Sequence, residues 1–181
     1  ALSKVSKGCY LAPLRLLAAE LYDTLNEKGA LTTLLTGEEV IEREGATHYS
    51  STIEMARFNE LFDCCVIDEI QMITDSQRGW AWTRALVNIH SPEIHVCGDA
   101  SAYDLVKNIA DLCGDTLEIK NYERMTDLKT EKKSIRVGDL KKSDALIVFS
   151  RKNALKYKSE LEKLDFKISI VYGRLSPEVR R

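Results

Sequence analysis

An adjacent pair of acids, Asp68 and Glu69, directly follows the apolar run Cys64-Cys65-Val66-Ile67, and Gln71 stands two places further on. At the end of a buried strand, such a pair sets two carboxylates over one metal–phosphate site. In a nucleoside triphosphate site the Asp holds Mg²⁺, usually through water, and the neighbouring Glu orients and deprotonates the attacking water. The plainer reading is two solvated acids at a strand end. Four other polar clusters also follow apolar runs. In Pro13-Leu14-Arg15, Arg15 suits a phosphate contact or a solvated first helical turn. Thr36-Gly37-Glu38-Glu39 offers a hydroxyl and a backbone amide to a nucleic-acid backbone, or a turn into a helix. Ser51-Thr52-Ile53-Glu54 admits the same two readings. In Cys97-Gly98-Asp99-Ala100-Ser101, Asp99 and Ser101 suit a helix cap. Each cluster alone is weak, and their order along one chain is what carries weight.

The elements that must position these residues alternate. Gly8–Ala12 reads as a strand ending at Pro13. Leu14, Leu17, Ala18, Leu21 and Leu25 recur at helical spacing to Lys28, and Gly29 supplies the stop. Strands are expected at Leu31–Leu35, His48–Thr52, Cys64–Ile67, Ile94–Cys97 and Leu117–Ile119. Helices are expected at Trp80–Ile89 and Ala102–Cys113. Cys64–Ile67 is continuously apolar, as a strand covered on both faces should be. The alternation predicts an α/β fold, a doubly wound and mostly parallel sheet. Ligands of such sheets sit outside the carboxyl ends of the strands, where all five clusters fall.

From Met125 to Asp144 the chain turns polar, with one short edge strand expected at Ser134–Val137. Strand, helix and strand then resume at Ala145–Phe149, Arg151–Leu164 and Lys167–Tyr172. This divides the chain into a first domain at 1–124, a linker at 125–139 and the start of a second domain at 140–181. Trp80 and Trp82 point to different sides of one helix, so at least one should pack in the core.

Composition sets limits. Of 181 residues, 44% are hydrophobic, which allows a sizeable core, and 30% are charged, which suits a solvated globular surface. No apolar run reaches the roughly 18 residues of a transmembrane helix, so no membrane partner is expected. A secretory signal is not visible either, because Ala1–Lys7 is too polar. The net charge of −2 gives no global basic field, though a local groove can still be basic. Five cysteines are present, an odd number without a C-x-x-C pair, and they read as small buried hydrophobes.

Taken in order, the segments Leu11-Ala12-Pro13-Leu14-Arg15-Leu16-Leu17-Ala18, Thr36-Gly37-Glu38-Glu39, Ser51-Thr52-Ile53-Glu54-Met55, Val66-Ile67-Asp68-Glu69-Ile70-Gln71-Met72, Arg78-Gly79-Trp80-Ala81-Trp82-Thr83-Arg84-Ala85-Leu86, Cys97-Gly98-Asp99 and Val148-Phe149-Ser150-Arg151-Lys152-Asn153 form a set. The set resembles the superfamily 2 RNA helicases of the DExH/D type, in the group of the mitochondrial degradosome helicase and its bacterial relatives. The resemblance implies two RecA-like domains that clamp ATP between them and bind single-stranded RNA, or a duplex with an overhang, across their tops. It implies Asp68 as the Mg²⁺ ligand, through water, and Glu69 as the catalytic base. Gln71 would couple the ATP and RNA sites, and Asp99 and Ser101 would link hydrolysis to domain movement. Pro13, Arg15, Thr36, Gly37 and Thr52 would line the RNA path, joined by Ser150 and Arg151 from the second domain. ATP and Mg²⁺ are the implied cofactors, an exoribonuclease is an implied partner, and the location is the bacterial cytoplasm or, alternatively, the mitochondrial matrix.

One departure matters. No G-x-x-x-x-G-K-[ST] loop occurs, and no glycine is followed by lysine. That loop cradles phosphates with backbone amides and places a Lys on them. The chain therefore reads as a piece of a motor, inactive by itself, with the loop expected just before Ala1. The rival reading is a non-catalytic RecA-like scaffold that binds RNA or protein. A receiver-type phosphoacceptor at Asp68 is a third, disfavoured because no early acidic pair precedes its strand.

Overall fold

In the computed structural model, which describes residues 1–123 and 125–172, the chain divides into two compact units, Ala1–Ile119 and Lys120–Arg181. The division falls ahead of the connector expected at 125–139.

The first unit is built on six strands: β1 (Gly8–Ala12), β2 (Thr32–Leu35), β3 (Val40–Ile41), β4 (His48–Thr52), β5 (Cys64–Ile67) and β6 (Ile94–Val96). Their order across the sheet is β3-β2-β4-β1-β5-β6. All neighbours are parallel except β3, which pairs antiparallel with β2 as a two-residue edge. The sequence reading did not foresee β3, because two residues carry no periodicity. The helices are α1 (Arg15–Glu27), α2 (Gly79–Asn88) and α3 (Tyr103–Cys113).

Alternation along the strands builds two cores. Cys9 and Leu11 of β1, with Cys65 and Ile67 of β5, face a cluster that includes Trp82, Ala85 and Val106 from α2 and α3. Tyr10, Ala12 and Cys64 face the other way, against Ala18, Ala19, Tyr22 and Leu25 of α1. Every residue of β1 is buried, as a central parallel strand covered on both faces requires. Ser50 on β4 donates to the Ala18 carbonyl at 2.6 Å, so α1 is tied to the strand it crosses by a satisfied buried hydroxyl. Trp82 is fully buried while Trp80 is 55% exposed, in keeping with their placement on different sides of α2.

Gly79 opens α2 where nothing larger fits. A Cβ there would lie 2.4 Å from the Ile73 carbonyl oxygen.

Four expected strands do not form. Leu117–Ile119, Ser134–Val137, Ala145–Phe149 and Lys167–Tyr172 have no ladder partner among the described residues, and Val137–Asp139 is instead a single 3₁₀ turn. A strand needs a neighbour to satisfy its amides and carbonyls, whatever its composition. Ile147 and Phe149 are accordingly exposed, and Leu117 packs against the first unit's core rather than joining its sheet. Within the second unit, α4 (Arg151–Glu162) forms close to its expected span.

Candidate nucleotide and RNA edge

The parallel register aligns the strand ends. Ala12 pairs with Thr52, Leu11 with Ile67, Leu35 with Ser51, and Ile67 with Val96. The residues that follow these strands therefore emerge along one edge of the sheet. Strand order then sorts them. Thr36, Gly37, Thr52, Pro13 and Arg15 follow β2, β4 and β1, whereas Asp68, Glu69, Asp99 and Ser101 follow β5 and β6. At about 4.8 Å per strand, the β2 end lies roughly 15 Å from the β5 end. One edge thus carries two separate clusters.

On the β5–β6 side, Asp68 is held at both oxygens. The Tyr10 hydroxyl donates to Oδ2 at 2.6 Å, and the Glu69 amide donates to Oδ1 at 2.9 Å. The Asp68 backbone is fixed as well: its amide donates to the Leu11 carbonyl at 3.0 Å, and the Trp82 indole donates to its carbonyl at 2.9 Å. Burial first, and then the hydrogen bond to Asp68, push the Tyr10 phenol well above its ordinary ionisation range. Tyr10 therefore stays a neutral donor. The sequence reading missed it, because a tyrosine inside an apolar strand gives no sign of the strand it will face.

Glu69 adopts a left-handed backbone, φ 50° and ψ 52°. For a residue with a Cβ this costs on the order of 1–2 kcal/mol. The turn lifts Glu69 off the strand and brings its carboxylate to Gln71, whose side-chain amide donates to Oε2. The Gln71 carbonyl oxygen accepts from the Asp99 amide at 3.0 Å. One glutamine thus joins the turn after β5 to the turn after β6. Asp99 in turn accepts from the Ser101 amide at 2.9 Å, and its bonds from Ser101 hold its carboxyl below the usual carboxylate range. Gly98 permits the join. A Cβ there would sit 2.2 Å from Gln71 Oε1 and 2.8 Å from the Ile70 amide nitrogen.

On the β2–β4–β1 side, Arg15 pairs with Glu38 across the gap between two strand ends, with about two-fifths of each side chain exposed. Thr36 is buried and its hydroxyl closes its own turn, accepting from the Glu39 amide at 3.0 Å. Thr52 is buried too, leaving Gly37 and Arg15 as the accessible members. Arg78, whose role no local sequence pattern reveals, ties this side together. It donates to the Pro13 carbonyl at 2.7 Å, pairs with Glu54 at 2.8 Å and lies over the Trp82 ring. In the second unit, Ser150 caps α4 by accepting from the Asn153 amide at 3.1 Å, and Arg151 stacks over Tyr172.

Comparison with known proteins follows the same lines. A family model described as the DEXQ-box helicase domain of Suv3 matches residues 1–122. The mitochondrial ATP-dependent RNA helicase SUV3 of Saccharomyces cerevisiae is 44% identical over 99% of this chain and 25% of its own length. The mitochondrial DExH-box ATP-dependent RNA helicase DExH16 of Arabidopsis thaliana is 43% identical over 99% of this chain and 32% of its own length. The chain therefore spans about a quarter to a third of these relatives. Among solved structures, S. cerevisiae Dbp5 bound to RNA and ADP BeF3 superposes with a TM-score of 0.60 at 15% identity. That match covers 97% of this chain and 53% of that one, and it bears on the RecA-like fold alone.

Proposed function

The chain belongs to the family of the DEXQ-box helicase domain of Suv3, and from that premise we propose that it forms the first RecA-like motor domain and the opening of the second in an ATP-dependent RNA helicase of RNA turnover. The observation that carries this reading is the Gln71 bridge between Glu69 and the Asp99 amide. It connects the two turns whose acids would sense nucleotide, so a change at one turn is transmitted to the other through a single side chain.

The residues fit a hard divalent cation beside Asp68. A carboxylate that accepts one bond at each oxygen keeps lone pairs for water-mediated contact, and the adjacent Glu69 offers a second carboxylate, the oxygen ligands such an ion takes. When bound, Mg²⁺ would neutralise charge on the ATP phosphates. Tyr10 orients Asp68 toward that position. Glu69 takes the proton of the attacking water, and its raised turn sets the carboxylate clear of the strand. Asp99 and Ser101 form the second turn that Gln71 reports to. RNA would run over the β2–β4–β1 ends, touching Arg15 and the Gly37 backbone, while the buried Pro13, Thr36 and Thr52 would shape that surface from beneath. Ser150 and Arg151 would add contacts from the second unit, with single-stranded RNA or an overhang as substrate and an exoribonuclease as partner.

Relatives named as mitochondrial support a mitochondrial location and replace the bacterial cytoplasm as the favoured reading. No helix among the described residues is long and apolar enough to cross a membrane. The absence of G-x-x-x-x-G-K-[ST] in these 181 residues supports a chain that does not turn over ATP by itself. It equally favours a scaffold that binds RNA without turnover. The parent-length protein separates the two: Glu69→Gln should lower RNA-stimulated ATPase by about 10²–10⁴-fold and leave RNA binding intact. Unwinding by that variant at the original rate would overturn the helicase reading.

A further inference from the structure

At the opposite end of the sheet from this edge, three metal-ligating side chains converge. Cys64 opens β5, Glu93 directly precedes β6, and His95 is the middle residue of β6. The register sets Cys65 beside Ile94 and Val66 beside His95. Cys64, Glu93 and His95 therefore project from the same sheet face, the one on which Cys64 joins the α1 core. Asp68 lies four positions beyond Cys64, about 13 Å along β5, so this cluster is distinct from the nucleotide edge.

The Cys64 sulfur, an imidazole nitrogen of His95 and a carboxylate oxygen of Glu93 all lie within 4.8 Å of one another. The backbone beneath them is rigid: the Cys65 amide donates to the Glu93 carbonyl at 2.9 Å, and the Ser91 hydroxyl donates to the same oxygen at 2.9 Å. His95 Nε2 lies 2.9 Å from Glu93 Oε1. That nitrogen is shut off from solvent, and beyond this contact with the Glu93 carboxylate it has no hydrogen-bond partner among the described residues. The ring is otherwise 40% exposed, so its one orphaned atom is the one turned into the cluster. A buried polar atom without a partner calls for an explanation, and an unplaced ion is one. Ligand atoms around a cation stand in this relation, in contact distance of each other and bonded to the ion instead.

We propose that Cys64, Glu93 and His95 bind a thiophilic divalent cation of the zinc class. Thiolate, imidazole and carboxylate are the donor types zinc takes, at about 2.3, 2.0 and 2.1 Å, with water as a fourth ligand. A sulfur–nitrogen–oxygen set disfavours Mg²⁺ and Ca²⁺, which take oxygen. As the metal–sulfur bond forms, the thiol proton leaves to solvent. Thiolate and carboxylate together then balance the charge of the ion. The ion would clip β6 to β5. That strand is three residues long, half-buried and paired on one side only, and its far end carries the Gly98–Asp99 turn. The ion would therefore set how firmly that turn stands beside Asp68.

Cobalt(II) titration of the 181-residue chain tests this without ATP or RNA. The expected result is a thiolate-to-cobalt charge-transfer band that Zn²⁺ abolishes and excess Mg²⁺ does not. Cys64→Ser should remove the band. Glu93→Gln and His95→Gln lie at exposed or half-exposed positions and should keep the far-UV dichroism of the parent chain. Each should weaken cobalt binding by more than about tenfold, the least that losing even a hydrogen-bond partner of a metal ligand produces. Zn²⁺ should raise the melting temperature of the parent chain and not of His95→Gln. A band that survives in Cys64→Ser, unchanged affinity in both other variants, or no band at millimolar cobalt would each overturn the site. If Cys64→Ser does not fold, the other two variants decide.

Discussion

The Tyr10 hydroxyl on β1 donates a 2.6 Å hydrogen bond to Asp68 at the end of β5, joining the middle of one central strand to the acid that follows its neighbour. Tyr10 is nearly enclosed, so this bond is a buried polar tie between β1 and the turn after β5. Bonds to a charged acceptor contribute about 1.5–3 kcal/mol.

Tyr10→Phe should therefore lower stability by about 1–2 kcal/mol near neutral pH, with the ring still filling its place. The pH dependence separates this from simple repacking. In the folded chain Tyr10 ionises above its ordinary value, chiefly through burial and then through Asp68. Its contribution is complete below about pH 10, the unfolded value, and is lost as pH climbs beyond it, by up to about 1.4 kcal/mol per unit. Urea unfolding at pH 9 and pH 11 should show a steeper alkaline loss in the parent chain than in Tyr10→Phe. Equal slopes would mean that the phenol is not held neutral by this site.

Gly98→Ala should loosen both turns at once. The new Cβ would overlap Gln71 Oε1 and the Ile70 amide, and the backbone there sits at φ 153°. Overpacking and strain each cost about 1–3 kcal/mol. A drop of that order in unfolding free energy, with faster hydrogen exchange at the Asp99 amide, is expected. An unchanged Asp99 exchange rate would show that Gln71 does not hold the turn.

Arg78→Ala removes the donor to the Pro13 carbonyl, the partner of Glu54 and the cation above Trp82. The group is partly exposed, so screening limits the ion pair, and a loss of about 1–2 kcal/mol is expected in all. Arg78→Lys should recover little of it, because an ammonium cannot hold Pro13 and Glu54 with one planar fork. Full rescue by lysine in a chemical denaturation series would count against this geometry.

Arg15 is the accessible cation on the proposed RNA side, and Glu38 holds it. Glu38→Gln should release it and strengthen binding to single-stranded RNA at low salt. Arg15→Ala should weaken binding alike across sequences and reduce the salt slope by about 1. Fluorescence anisotropy against ionic strength reads both. If Glu38→Gln weakened binding instead, the pair would be part of the site rather than a restraint upon it.

The sequence by itself determined the central strands and the helices of the first unit. β1 and β5 lie at the residues expected, because a strand buried on both faces reads as a near-continuous apolar run that ends where polar residues begin, and β4 lies at its expected residues although His48-Tyr49-Ser50-Ser51-Thr52 is largely polar. It also determined that Asp68, Glu69 and Asp99 emerge at carboxyl ends of strands, since each directly follows an apolar run. Only the tertiary structure decided which strands stand side by side. That order sorts the polar clusters into two groups, sets Tyr10 against Asp68, and brings Gln71 between Glu69 and Asp99. It also decided that Leu117–Ile119 and Ala145–Phe149, strand-like in composition, remain without a ladder. The Cys64, Glu93 and His95 cluster was invisible for the same reason. Cys64 and His95 are far apart along the chain and carry no ligand spacing, and only the parallel pairing of β5 with β6 makes them neighbours. Periodicity is a property of one segment and its burial, whereas contacts between strands depend on pairings that no single segment encodes.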